Sequence, residues 1–214
     1  MNLNTQSFPI DLGEFRIDFS YDKLYRTISV SNVFSPSSYP TLVNGFNSIK
    51  WTKKKTDFYS QYESIVTPND QTSIALLYSK KFYFPFKAKL ETVLNTKLRD
   101  DIRLIAHKLE SADEIEVHND YCDPKLGYEQ FRFIFQFATP YIQTRGGDIY
   151  FLSSQDKQAI IRKNLYSENA GVCFEISPHS YHFVDPVEGE RYTLIMYLWE
   201  QGKPYDGSGY KVRK

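Results

Sequence analysis

A mainly β fold with flanking helices, an α+β chain built round a sandwich or barrel, is what this sequence predicts, on three observations. Short runs alternating apolar with polar residues recur through the second half, separated by turns. The chain holds 17 Tyr and 16 Phe spread along its length, an aromatic content that suits strands. Helical spacing of apolar residues is confined to the first half.

Taken in order, Glu14 to Phe19 and Arg26 to Val33 alternate and read as strands. Ser35-Pro36-Ser37-Ser38 is a turn and helix-start signal, followed by a short helix with Tyr39, Leu42, Val43 and Phe46 on one face. From Lys50 to Gln71 the residues are polar and aromatic without a period, and Thr67-Pro68-Asn69-Asp70 closes what reads as a loop. Phe86 to Leu98 reads as a helix, because Leu90, Val93, Leu94 and Leu98 recur at helical spacing, and Ile102 to Leu109 reads as its extension or successor. Strands then follow over Glu114 to His118, Phe131 to Ala138, Asp148 to Leu152, Val172 to Ile176, Tyr181 to Val184 and Arg191 to Trp199. Gly202 to Lys214 reads as a loose tail.

At 214 residues the chain is long enough to bury a core. Its 26 Lys and Arg balance 26 Asp and Glu, so no net field draws in nucleic acid or an anionic membrane. Lys50 to Lys55 is the one basic run and reads as a solvated turn. There is no stretch of transmembrane length and no basic, then apolar, N-terminal leader, so a cytoplasmic chain is the expectation. Two cysteines, Cys122 and Cys173, are too few for a disulfide framework and fit a reducing compartment.

The chemistry gathers at His118-Asn119-Asp120. On an extended segment a His-x-Asp pair puts an imidazole and a carboxylate on one side, because side chains alternate with period two. A second imidazole from a distant strand would complete a 2-His-1-carboxylate set and leave three positions of an iron open. His179 and His182 compete for that place; three apart on a strand, they point to opposite faces and only one can ligate. His107, in the segment read as helical or bridging, is taken as structural. The bland reading of His118 and Asp120 is a polar turn at a strand's end.

The run around His182 reads His182-Phe183-Val184-Asp185-Pro186-Val187, then a glycine at Gly189, then Arg191-Tyr192-Thr193-Leu194. It resembles the distal-histidine segment of the prolyl-4-hydroxylase-like branch of the 2-oxoglutarate-dependent Fe(II) oxygenases, H-x-V-x-P-V followed by a glycine turn and R-x-S/T-L. Gly146-Gly147-Asp148-Ile149, between the two histidine segments, resembles the G-G-[ED]-L segment of the same branch. The resemblance is clear over residues 113 to 200 and, before them, extends only to general layout.

That resemblance implies a double-stranded β-helix (jelly-roll) in a single domain, 1–214. Residues 1–112 would give support and the substrate region, 113–200 the metal-binding core and 201–214 a tail. It selects His182 over His179, so that His118, Asp120 and His182 hold Fe(II). It assigns Arg191 and Thr193, on one face of a strand, to the far carboxylate of 2-oxoglutarate. Tyr128, as a further co-substrate-binding residue, and Arg132 are expected to assist in the pocket. Dioxygen is the second co-substrate and ascorbate a stimulant. The implied activity is hydroxylation of an unactivated C–H bond, with an amino acid, free or in a peptide, as substrate. Asp113, Glu114, Glu116, Asp123 and Asp185 near the expected mouth lean that expectation slightly toward a basic side chain. Two other classes stay open: a non-catalytic small-molecule-binding jelly-roll, and a cupin-type metal enzyme that does not use 2-oxoglutarate.

Overall fold

A computed structural model gives the fold and describes residues 10–14, 16–21, 24–137 and 144–213. Phe15, Ala138 and Lys214, at the edges of three expected segments, lie outside the described residues.

The strands in chain order are β1 (Arg16–Tyr21), β2 (Arg26–Ser31), β3 (Thr52–Lys55), β4 (Ser60–Val66), β5 (Leu98–Glu110), β6 (Ile115–His118), β7 (Phe131–Phe137) and β8 (Arg145–Gly146). They continue with β9 (Ile149–Leu152), β10 (Ile160–Asn164), β11 (Ala170–Glu175), β12 (His182–Val184), β13 (Val187–Glu188), β14 (Glu190–Glu200) and β15 (Tyr210–Lys211). Two α-helices, α1 (Tyr39–Gly45) and α2 (Lys80–Leu94), precede β5. Among the described residues no helix is long and apolar enough to cross a membrane.

The major sheet runs β1-β2-β11-β7-β14-β5-β4-β3, with β15 also on β5; a minor sheet runs β10-β9-β12-β6. All the pairings within these two sheets are antiparallel. The jelly-roll expectation therefore holds, as two facing sheets with helices along one side.

Two apolar clusters separate the faces of the major sheet. On the outer face Phe133, Phe135, Leu194, Met196, Leu104 and Ala106 pack against Phe82, Phe86 and Leu90 of α2. The Phe86 ring stands edge-on to Phe133 at 4.9 Å. Burying one such ring stabilises by about 1.5–3 kcal/mol, so this seam anchors α2. Between the sheets a second cluster joins Ile134, Ile195, Val172 and Phe174 to Ile149, Phe151 and Val184.

Five expectations are corrected. Lys50 to Gln71 is not loop throughout: β3 and β4 pair as a hairpin, with Lys53 opposite Tyr62. Its lysines are not merely solvated, since Lys53 pairs with Asp113 and Lys54 with Glu63, each at 2.9 Å. The helix α2 starts at Lys80, where the Ser79 side chain accepts from Phe82 N, and it ends at Leu94 before a left-handed Asn95. Ile102 to Leu109 is neither helix nor bridge but the centre of the 13-residue strand β5. The tail is tied down as well: β15 pairs with Asp101 and Ile102, and Val212 is buried.

Candidate metal and co-substrate centre

Strand pairing places the three metal-binding candidates. His182 on β12 stands directly opposite His118 on β6. Two residues further along β12, Val184 faces Ile115, three residues back on β6, so β6 carries an irregularity beside the site. Asp120 follows β6 by two residues and returns to the same side. One donor atom from each of His118, Asp120 and His182 falls in a group within 4.8 Å of one another.

The tautomers suit a cation. His118 Nδ1 lies 2.8 Å from Glu116 O, and His182 Nδ1 lies 2.9 Å from Ser180 O. Each Nδ1 therefore donates to a backbone carbonyl, leaving the Nε2 lone pair for a metal. Those Nε2 atoms face the carboxylate, at 3.6 Å from Asp120 Oδ1 and 3.3 Å from Asp120 Oδ2. Burial pushes the His118 imidazole down to about 4, helped by His182. Burial alone would raise the Asp120 carboxyl, but Arg132 and the two imidazoles outweigh it and hold it well below the usual carboxylate range. Arg132 Nη1 stands 2.5 Å from Asp120 Oδ2, off the direction a hydrogen bond needs, so that buried oxygen accepts none. Two imidazoles with their Nε2 atoms turned inward and an ionised carboxylate with a spare acceptor fit Fe(II). His179 is exposed at the surface, where its backbone helps form a turn.

The inward face of the major sheet carries its side chains in three tiers about 7 Å apart along the strands. Tyr197 on β14 lies between Arg103 on β5 and Arg132 on β7; Ile195 lies between Ile105 and Ile134; Thr193 lies between His107 and Gln136. An outer cavity of about 810 Å³ opens over the first tier and includes Phe58, His118, Asp120, Tyr128, Glu129 and Tyr181. An inner one of about 260 Å³ shares Arg103, His118, Asp120, Arg132 and Tyr197, and runs on past the isoleucines to His107, Arg191 and Thr193.

Arg191 is 3 % exposed, and its Nε and Nη2 have no hydrogen-bond partner among the described residues. Burial pushes its guanidinium down to about 10. Two features hold it. Its guanidinium lies over the Tyr166 ring at 5.3 Å, and the Tyr166 hydroxyl accepts from Tyr192 N and donates to Phe137 O. Gly147, at φ +73°, lies so close that a Cβ there would sit 2.6 Å from Arg191 Cδ. An unpartnered buried cation is costly unless an anion arrives, and the planar fork suits a carboxylate. Thr193, on the same chamber wall, offers a hydroxyl.

Of the expected site residues, His118, Asp120 and His182 come together, as do Arg191 and Thr193. Tyr128 is half exposed on the outer cavity and does not line the inner one. Arg132 bridges Asp120 and Glu129, its guanidinium 2.7 Å from Glu129 Oε1. The five acidic residues expected at the mouth do not line the outer cavity. Asp113 is held by Lys53 and Glu116 by Lys157, while Asp123 caps the turn at Lys125 and Asp185 accepts from Asp148 N. Sequence reasoning missed Tyr166, Glu129 and Arg103 and set His107 aside. The last two went unseen because β5 was read as helix; Tyr166 belongs to no motif.

No protein-family model matches the chain, and no curated protein matches its sequence. Solved structures do match its fold. A prolyl hydroxylase from Trichoplax adhaerens, in complex with a hypoxia inducible factor oxygen degradation domain peptide fragment, superposes with a TM-score of 0.65 at 10% identity, over 82% of this chain and 84% of that one. An oxidoreductase of the 2OG-Fe(II) oxygenase family from Burkholderia pseudomallei gives 0.61 at 12% identity, over 87% and 88%. A prolyl-4-hydroxylase from Pseudomonas putida gives 0.55 at 13% identity, over 72% and 79%. The chain has the fold of the 2-oxoglutarate/Fe(II) oxygenases, in the form seen in prolyl hydroxylases.

Proposed function

We propose that this protein is a 2-oxoglutarate- and Fe(II)-dependent dioxygenase that hydroxylates an amino-acid side chain, free or in a peptide. The observation that carries the reading is Arg191: a buried guanidinium with open donors, in a chamber whose other end is a 2-His-1-carboxylate set. A jelly-roll that merely binds a neutral small molecule needs neither end.

His118, Asp120 and His182 would hold the iron. Arg191 would receive the far carboxylate of 2-oxoglutarate through its fork, and Thr193 would share it, fixing the co-substrate's register along the chamber. Ile105, Ile134 and Ile195 line the path between, a dry wall that keeps water from the reacting end. Iron, dioxygen and 2-oxoglutarate together supply the oxidising power to hydroxylate an unactivated C–H bond, with succinate and carbon dioxide leaving. Arg132 keeps the Asp120 carboxylate ionised and fixed in place. Tyr128, Tyr181 and Phe58 stand round the outer cavity, on the substrate's side of the metal.

The test is succinate formation from 2-oxoglutarate, with ferrous iron and ascorbate, across the twenty amino acids and a set of short peptides. The reading expects succinate whose rate rises with at least one of them and a matching product heavier by one oxygen. No succinate above the iron-only background would favour a cupin-type enzyme or a binding protein instead.

A further inference from the structure

Arg103 stands on β5 in the outermost tier, on the wall shared by both cavities. Two strand spacings, about 10 Å, separate its backbone from that of Arg132. The two arginines are otherwise unlike. Arg132 is buried and committed to Asp120 and Glu129. Arg103 is half-buried, and among the described residues no hydrogen bond or ion pair engages its guanidinium. It lies over the face of Tyr197, whose ring centroid is 5.7 Å from Arg103 Cζ and 4.7 Å from Arg132 Cζ. Tyr197 is thus held between two guanidiniums and keeps Arg103 in place over the cavity.

The other charges of the outer cavity do not answer it. Its carboxylates are Asp120, Glu129 and Asp206. The first two belong to Arg132, and Asp206 is exposed and accepts from the Ser208 N–H and hydroxyl. Lys54, the other cation near by, is paired with Glu63. A guanidinium on a cavity wall with its donors uncommitted offers a planar anion a paired contact, and one held against a ring loses little freedom in taking it.

We infer that Arg103 is the anchor for a substrate carboxylate, so that the substrate of this site is an anionic or zwitterionic amino-acid compound rather than a basic side chain. This rests on the dioxygenase reading, as it takes the outer cavity to be the substrate's. The carboxylate has two sources: the α-carboxylate of a free amino acid, or an Asp or Glu side chain in a peptide. Either would lie across the first tier with its reacting carbon toward His118 and Asp120.

Ligand-observed NMR on the protein, without iron, tests it directly. The probes are the free amino acids with their α-carboxamides, and blocked tripeptides centred on Asp or Glu with their Asn or Gln counterparts. The expected result is binding by at least one carboxylate that its amide matches only at about tenfold or more higher concentration. Arg103→Met is expected to remove that preference and Arg103→Lys, which keeps the charge, to retain part of it. Which series binds identifies the source. Equal binding of acid and amide, binding of inorganic phosphate alone, no binding by any probe, or an unchanged preference in Arg103→Met overturns the assignment. Because no turnover is read, that outcome is separate from failure of the dioxygenase reading, which succinate formation reports.

Discussion

Arg132 on β7 and Asp120 beyond β6 are joined across the two sheets by an ion pair of 2.5 Å, inside the cavity that would hold the metal. The pair ties the carboxylate-bearing segment to the major sheet. Without a metal, Arg132 is the charge that makes an ionised, buried Asp120 tolerable. Removing it strands both Asp120 and Glu129, and breaking a buried pair this way typically costs about 3–5 kcal/mol. Arg132→Met should therefore lower the melting temperature of the metal-free protein sharply. Mn(II) should then stabilise the variant by more than it stabilises the unsubstituted protein, because the cation replaces the lost charge. Thermal unfolding with and without Mn(II) reads both; equal metal stabilisation in the two would mean that Arg132 does not govern the carboxylate.

Arg191 is expected to set 2-oxoglutarate affinity. Its loss removes a charge-assisted contact of roughly 1.5–3 kcal/mol, or about 10- to 150-fold in affinity. Arg191→Ala should raise the half-saturating 2-oxoglutarate concentration by that factor. Thr193→Val should cost about 1 kcal/mol, the scale of one neutral hydrogen bond. Titration of the Mn(II)-loaded protein with 2-oxoglutarate gives both values. Unchanged affinity in Arg191→Ala would move the anchor elsewhere in the inner chamber.

Gly147 gives a test that leaves every expected metal and co-substrate residue unsubstituted. Its φ of +73° and the 2.6 Å from its position for a Cβ to Arg191 Cδ make Gly147→Ala doubly unfavourable. Backbone strain of this kind costs on the order of 1–3 kcal/mol. The variant should fold with a lowered melting temperature and bind 2-oxoglutarate more weakly, because Arg191 must shift. A loss of stability with no change in 2-oxoglutarate affinity would show that this glycine serves the turn alone.

His107 should give the protein an acid weakness. Burial pushes its imidazole down to about 4, with Glu63 opposing that shift. The ordinary value is near 6.5, so the unfolded chain binds the proton first as pH falls. Stability is therefore at its plateau above about 6.5 and declines as pH falls through the window down to about 4, by on the order of 3 kcal/mol. His118 adds a loss of the same sign in the metal-free protein. In chemical denaturation at pH 7 and pH 4.5, His107→Asn should lose less stability than the unsubstituted protein. An equal loss in the two would exclude His107 as a source.

The parts of the site that a reader of the sequence can find are those written in local order. His118 and Asp120 are two apart, and His182, Arg191 and Thr193 fall in one run with its proline and glycine, so period-two geometry and resemblance together name them. The second wall of the chamber is hidden for a physical reason. On β5, Ile102, Leu104 and Ala106 face the helices, while Ile105 on the cavity wall and Leu109 in the cluster between the sheets lie on the other side, so apolar residues lie on both sides and the alternation that marks a strand disappears. Arg103 and His107 then read as helical residues with no site to belong to. The β3 strand is hidden differently: all four of its residues are exposed, so it has no buried face to show. The start expected for α2 at Phe86 falls just beyond Pro85, which lies inside the helix, and so misses the serine that caps it.

The claim on which all of this turns is that His118, Asp120 and His182 hold ferrous iron with 2-oxoglutarate beside it. Anaerobic addition of Fe(II) and 2-oxoglutarate should produce a weak visible charge-transfer absorption that neither gives alone. His182→Ala should abolish it and His179→Ala should leave it intact. No absorption in the unsubstituted protein, or an absorption that survives in His182→Ala and vanishes in His179→Ala, would contradict the account.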